Sequence, residues 1–261
     1  MYVNVRNLFQ TKDLIFAWTG RTVRGRYQQS LLGWFWAIIQ PAALVVVFSV
    51  IFTYFVPIDT GGNVPYPVFS YVAIVPWTFF AFSLTDMSNS LVSNISLVTK
   101  IYFPREALPI AAMLARLIDF GIASLILLVL MIMFKVPVNP VALLSLPLIL
   151  IVQIILILGL GLAASAFNIF FRDIQPLLAL GLQILMYASP VIYPATMVPE
   201  YLQPYYFLNP MAGIITAYRD ILINQSFPGT YMIPSTLISV FIFVFGYWVF
   251  KRLEFQFADI V

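Results

Sequence analysis

Residues 27–58 carry no formal charge. The same holds for 60–85, 136–171, 174–199 and 221–250, while 107–134 is interrupted only by Arg116 and Asp119. A helix needs about 20 apolar residues to cross a bilayer core. The pattern therefore predicts six spans, at 33–56, 67–94, 108–134, 140–170, 176–194 and 232–250. Pro41 lies inside the first and is expected to kink it or to be accommodated by neighbouring helices. Pro109 falls in the first turn of the third span, where its missing N–H costs little. Asp173, ahead of Pro176, is placed to cap the fifth, which is expected to stop near Pro190 and Pro194. Gly159, Gly161, Ala163 and Ser165 form small-xxx-small pairs in the fourth, which permits close helix approach, by default within the chain.

Two segments fit neither span nor ordinary loop. Residues 13–32 read as a helix lying in the cytoplasmic interface, with Leu14, Ile15 and Trp18 towards the apolar side and Arg21, Arg24 and Arg26 towards lipid phosphates. Two roles stand open for these arginines: setting topology only, or also meeting an anionic lipid head group. Residues 195–231 are too apolar for a soluble loop of that length. Asn209-Pro210 is a helix start, and Met211, Ile214, Ile215, Tyr218 and Leu222 follow the helical period on one face. A shorter helix over 198–207 carries Tyr201, Tyr205 and Tyr206. The pair is expected to form a re-entrant or interfacial hairpin between spans five and six, with an external amphipathic cap as the alternative.

Composition narrows the class. At 62% hydrophobic and 9% charged, the chain is too apolar for a soluble domain. With no histidine and no cysteine, imidazole bases, thiol nucleophiles and ordinary zinc sites are excluded. A scattered net charge of +3 gives no footprint for nucleic acid. Residues 1–30 show no apolar signal-peptide core, so insertion is expected to use the spans themselves. With both termini assigned to the cytoplasm, Arg6, Lys12, Arg21, Arg24, Arg26, Lys100, Arg105, Arg172, Lys251 and Arg252 fall inside and only Lys135 and Arg219 outside. That bias fixes the orientation.

Asp86, Arg116 and Asp119 are the charges within spans. Each costs about 2.5–3.5 kcal/mol at a helix centre on insertion scales, so they should be paired or face water. Asp86 and Arg116 sit at similar depth in adjacent antiparallel helices, and Asp119 lies three residues beyond Arg116. A structural ion pair between spans two and three is the favoured reading, and a proton relay the alternative. Phe48, Phe52 and Phe55 make a stripe on the first span, and Tyr187 and Tyr193 sit on the fifth. By spacing alone, packing accounts for them at least as well as lining a pathway. There is no Gly-x-x-x-x-Gly-Lys-Ser/Thr loop.

Several phrases resemble one family in order. Arg26-Tyr27-Gln28-Gln29-Ser30-Leu31-Leu32-Gly33-Trp34-Phe35-Trp36, running to Pro41, is similar to the start of the first span in type-2 ABC exporter permeases for cell-surface polysaccharides. Lys100-Ile101-Tyr102-Phe103-Pro104-Arg105-Glu106 resembles that family's first cytoplasmic loop, and Asn168-Ile169-Phe170-Phe171-Arg172-Asp173-Ile174 its second. Ser189-Pro190-Val191-Ile192-Tyr193-Pro194, then Asn209-Pro210 and Tyr218-Arg219-Asp220, resembles its outer hairpin. Within the family the O-antigen (Wzm-type) and teichoic acid branches are the most similar.

The resemblance implies an all-α integral membrane fold in the bacterial cytoplasmic membrane, with six transmembrane helices. Residues 1–261 would be one permease domain, with a cytoplasmic interface region at 1–32, a six-span bundle at 33–250 and a cytoplasmic tail at 251–261. It implies a homodimer bound to two copies of a separate ATPase, with ATP and Mg on that partner and no cofactor in this chain. The cargo would be a lipid-linked glycan. Lys100, Ile101, Tyr102, Phe103, Arg105 and Glu106 would then couple to the ATPase, and Phe48, Phe52, Tyr187 and Tyr193 would line the channel. A type-2 ABC permease for drugs or simple lipids shares the layout. A secondary transporter would need no ATPase, and a membrane-bound transferase would need catalytic groups that the scattered acids do not supply.

Overall fold

The computed structural model describes residues 12–27, 35–55, 64–100 and 103–257, and every regular element among them is helical. Helix α1 (Lys12–Tyr27) is followed by α2 (Trp36–Val50), which runs on as a π-helical turn, Ile51–Phe55. Next come α3 (Tyr66–Ser90), a 3-10 turn (Val92–Asn94) and the short α4 (Ile95–Lys100). Then follow α5 (Ala107–Met133), the single turn α6 (Pro140–Leu143), α7 (Leu146–Phe170) and α8 (Ile174–Tyr187). The segment between α8 and the last helix gives α9 (Gln203–Tyr206) and α10 (Pro210–Leu222). The last helix, α11 (Met232–Leu253), closes with the 3-10 turn Glu254–Gln256.

Five helical stretches are long and apolar enough to cross a bilayer: Ile38–Phe55, Tyr66–Lys100, Ala107–Met133, Pro140–Phe170 and Met232–Gln256. The expected fifth span differs. Helix α8 has 14 residues, about 21 Å at the helical rise, against a hydrocarbon core of about 30 Å. It stops at Tyr187 because Pro190 and Pro194 have no N–H to continue it and because the carbonyls of Pro190, Val191 and Tyr193 go to Arg219 instead. Asp173 occupies the N-cap position of α8 but makes no capping bond. The expected 198–207 helix shrinks to the turn Ala195–Met197 and the four-residue α9. Asn209 caps α10 as its sequence requires, accepting from Met211 N at 3.0 Å, with Pro210 in the first helical position.

Helix α3 is the centre of the bundle, packed by α2, α5, α7, α8 and α10. Its Val72, Ile74 and Met87 are fully buried. Helix α1 lies along α5, where Val23 meets Ala115. Several polar side chains buried at this depth find partners on other helices, although the Tyr71 and Ser83 hydroxyls of α3 have none among the described residues. Gln153 of α7 donates to the Pro76 carbonyl of α3 at 2.8 Å and accepts from Tyr218 of α10 at 3.1 Å. At the opposite end Asn168 donates to the Ser88 carbonyl at 3.0 Å, and Gln175 donates to the Ser88 hydroxyl at 2.9 Å. Helix α5 ends in a left-handed Lys135 (φ 52°). Val136 N reaches back to Met131 O at 2.9 Å and Lys135 N to Ile132 O at 3.1 Å, so its last carbonyls are satisfied.

Helices α7 and α11 cross backbone to backbone. A Cβ on Gly159 would lie 2.6 Å from Phe243 Cα, and one on Gly246 would collide with the Gly159 carbonyl. A Cβ on Gly161 would instead meet the thioether end of Met87, which can move. The small-residue pairs thus serve packing within the chain. Gly159→Ala is expected to cost about 1–3 kcal/mol more than Gly161→Ala, visible as a lower melting temperature of the purified protein in detergent.

Candidate functional site

The charges within the helices form one network with a member from α1. Arg116 Nε lies 2.6 Å from Asp86 Oδ2, its Nη2 3.2 Å from Asp86 Oδ1, and its Nη1 3.2 Å from Asp119 Oδ2. This is the arrangement expected from helix depth. Arg26 completes it, with Nη1 2.6 Å from Asp119 Oδ2 and Nη2 2.7 Å from Asp86 Oδ2. Two guanidiniums bracketing two carboxylates neutralise each other, and all four side chains are mostly buried. Arg26 is therefore spent on the bundle, whereas Arg21, stacked on Trp18 at 4.5 Å, and Arg24 remain exposed. Arg26 also lines two cavities, one of about 240 Å³ between α1, α2, α3 and α5 and one of about 360 Å³ between α1, α3 and α5.

The opposite end is built on Arg219, which the sequence presents as an outer basic residue and as part of the Tyr218-Arg219-Asp220 phrase, without its partners. It is 5% exposed. Its Nη1 donates to Pro190 O at 2.6 Å and Tyr193 O at 2.9 Å, and its Nη2 to Val191 O at 2.9 Å. The guanidinium lies 3.7 Å from the centre of the Phe69 ring. Carbonyl dipoles and a ring face thus take the place of a carboxylate. Tyr66 donates to Ile192 O at 2.8 Å, holding the same turn from α3. Asn209 Nδ2 reaches Ser189 Oγ at 2.8 Å, which ties the start of α10 to the end of α8. Tyr231, ahead of α11, donates to Asp220. Burial, and then that bond, push the Tyr231 hydroxyl well above its ordinary pKa, so it stays a donor.

The loop after α4 is partly turned inward. Lys100 is exposed, Phe103 packs against the core, Arg105 is half-buried and Glu106 is 4% exposed. Ile101 and Tyr102 lie outside the described residues. Glu106 meets Lys251, and Arg105 Nη1 donates to Glu254 O at 2.6 Å. Glu106 and Arg105 brace this loop against α11, a pairing across 145 residues that no local signal in the sequence announces.

The ABC-2 type transporter family profile matches residues 13–223, from the first helix through the end of α10. The chain belongs to the ABC-2 type transporter family. It is 27% identical to the O-antigen export system permease protein RfbA of Klebsiella pneumoniae over 98% of this chain and 97% of that protein. It is likewise 27% identical to a protein of the same name from Myxococcus xanthus, over 86% of this chain and 85% of that one. The polysialic acid transport protein KpsM of Escherichia coli is 28% identical over 85% of this chain and 87% of its own length.

In this ABC-2 transporter chain the aromatic residues singled out by sequence fall into two groups. Phe48 and Phe52 meet as tilted rings at 6.3 Å, Phe52 meets Tyr66 at 5.6 Å, and Tyr66 meets Phe69 at 5.9 Å, so a row of rings leads from α2 to the Arg219 clamp. Tyr187 is 60% exposed at the end of α8. Tyr193 donates to the Tyr187 carbonyl at 3.0 Å and accepts from Tyr206 at 3.2 Å. Tyr66, which joins the rings to the turn, was not distinguished by spacing.

Proposed function

We propose that this chain is the permease subunit of an ATP-driven exporter that moves lipid-linked cell-surface polysaccharide, of O-antigen or teichoic acid type, across a bacterial cytoplasmic membrane. The observation that carries the reading is similarity over 98% of the chain to a protein named as an O-antigen export permease. In that role the permease needs no ATP site of its own, because two copies of a separate ATPase bind ATP and Mg and drive a permease homodimer. Residues 1–261 act as one permease domain with both termini cytoplasmic. Six crossings follow if α8 and the residues after it complete the fifth, with α9 and α10 as the outer hairpin. Phe48 and Phe52, with Tyr187 and Tyr193, give a glycan flat faces that demand no fixed hydrogen-bond pattern. Exposed Arg21 and Arg24 face lipid phosphates on the cytoplasmic side.

The ATPase docks on α4 and the loop after it, where Lys100 is exposed and Phe103 is partly exposed. The double substitution Lys100→Ala/Phe103→Ala is expected to weaken association with the ATPase about tenfold, measured by co-purification and by surface-glycan staining of cells that depend on the permease. Unchanged association and staining would remove the docking assignment. Hydrolysis by the reconstituted complex that responds to a drug or simple lipid and not to lipid-linked glycan would replace the polysaccharide reading.

A further inference from the structure

The loop that follows α4 ends in a grip on the last helix. Lys251 Nζ lies 2.9 and 3.0 Å from the two carboxylate oxygens of Glu106 and 2.8 Å from Glu254 Oε2. Arg105 donates to the Glu254 carbonyl and lies over the Phe257 ring at 5.8 Å. Phe257 is itself fully buried, 6.0 Å from Phe170 and 5.8 Å from Phe250. The far end of α11 is equally engaged. Ser235 fits the space left by Gly213 of α10, where a Cβ would collide with its hydroxyl. Tyr231 holds Asp220, and the neighbouring Arg219 holds the turn at 190–193. Between these ends α11 crosses α7 backbone to backbone at Gly159 and Gly246, so the two helices are packed as one body.

We infer that α11 is a strut carrying movement of the α4 loop to the hairpin, and that Lys251 is the positioning residue fixing the loop to it. A 22-residue helix is about 33 Å long, enough to join the two ends as one rigid element. Packed interfaces shift as bodies rather than deforming gradually, so a displacement at Glu106 arrives at Gly213. Without Lys251, buried Glu106 faces Glu254 with no cation between them, and the junction opens. The inference rests on the α4 loop being the ATPase-docking segment.

The test uses the permease–ATPase complex in proteoliposomes, with ATPase retention, ATP hydrolysis and glycan export measured together. Lys251→Met is expected to keep the ATPase bound and hydrolysis within about twofold, while export per ATP falls about fivefold or more. Lys251→Arg should recover most of it. The sequence contains no cysteine, so Glu106→Cys/Lys251→Cys can be bridged by a short thiol cross-linker. If loop and strut move together, the bridged complex exports. A wild-type export ratio in Lys251→Met, loss of the ATPase from it, or a bridge that stops export would each overturn the strut. Failure of the docking reading is distinguished by Lys100→Ala/Phe103→Ala, which acts on ATPase retention and leaves the ratio per ATP alone.

Discussion

Arg219→Met is expected to reduce export to below about a tenth of wild type and to expose the 188–208 segment to protease. The side chain donates to the carbonyls of Pro190, Val191 and Tyr193 within a buried site. Removing it leaves three acceptors without donors, each costing about 1–3 kcal/mol where water cannot reach. That sum exceeds what a short irregular segment holds in reserve, so the turn should melt locally while the bundle stays folded. Lysine is a poor substitute: its ammonium is a point charge without the planar fork that reaches three carbonyls and stacks on Phe69. Arg219→Lys should therefore recover only a minor part of export. Limited proteolysis with mass mapping reads the first effect and surface-glycan staining the second. An Arg219→Met permease that resists protease and exports normally would show that Tyr66 and Asn209 hold the hairpin without the clamp.

The other large effect is expected at the charged network. Arg116→Leu removes the cation shared by Asp86 and Asp119 and leaves Arg26 to serve both. Breaking a buried pair from one side costs about 3–5 kcal/mol; partial exposure of these side chains brings the expectation nearer 2–4 kcal/mol. The double variant Asp86→Leu/Arg116→Leu keeps the Arg26–Asp119 contact at 2.6 Å and strands no charge. It should regain most of the lost stability, so the two substitutions together cost less than their sum. Thermal unfolding in detergent measures the cycle. A double variant as unstable as Arg116→Leu would mean that the carboxylates are held by something other than their arginines.

The bundle is legible in the sequence because charge exclusion from a bilayer is a coarse and strong signal. Helices α3, α5 and α11 run within a few residues of the expected 67–94, 108–134 and 232–250. The Asp86–Arg116 pair was legible for the same reason, since equal depth in antiparallel neighbours brings two side chains together. Arg26 was not, because it shares a helix with Arg21 and Arg24 and only the packing of that helix against α5 separates their fates. The shortened α8 was hidden because hydropathy records apolar residues and ignores where the backbone carbonyls go. Lys251 with Glu106, and Arg219 with its turn, are long-range contacts whose members look like ordinary topology-setting charges. Asn209-Pro210 was readable because capping is local chemistry.

The membership of the network follows an order along the chain. Asp86 precedes Arg116 by 30 residues in the chain, and a carboxylate alone at that depth is costly. Arg26 precedes both in the chain and contacts Asp86 directly. The amino-terminal helix thus holds a counter-ion for Asp86 that does not depend on α5, whose Arg116 and Asp119 add a second balanced pair.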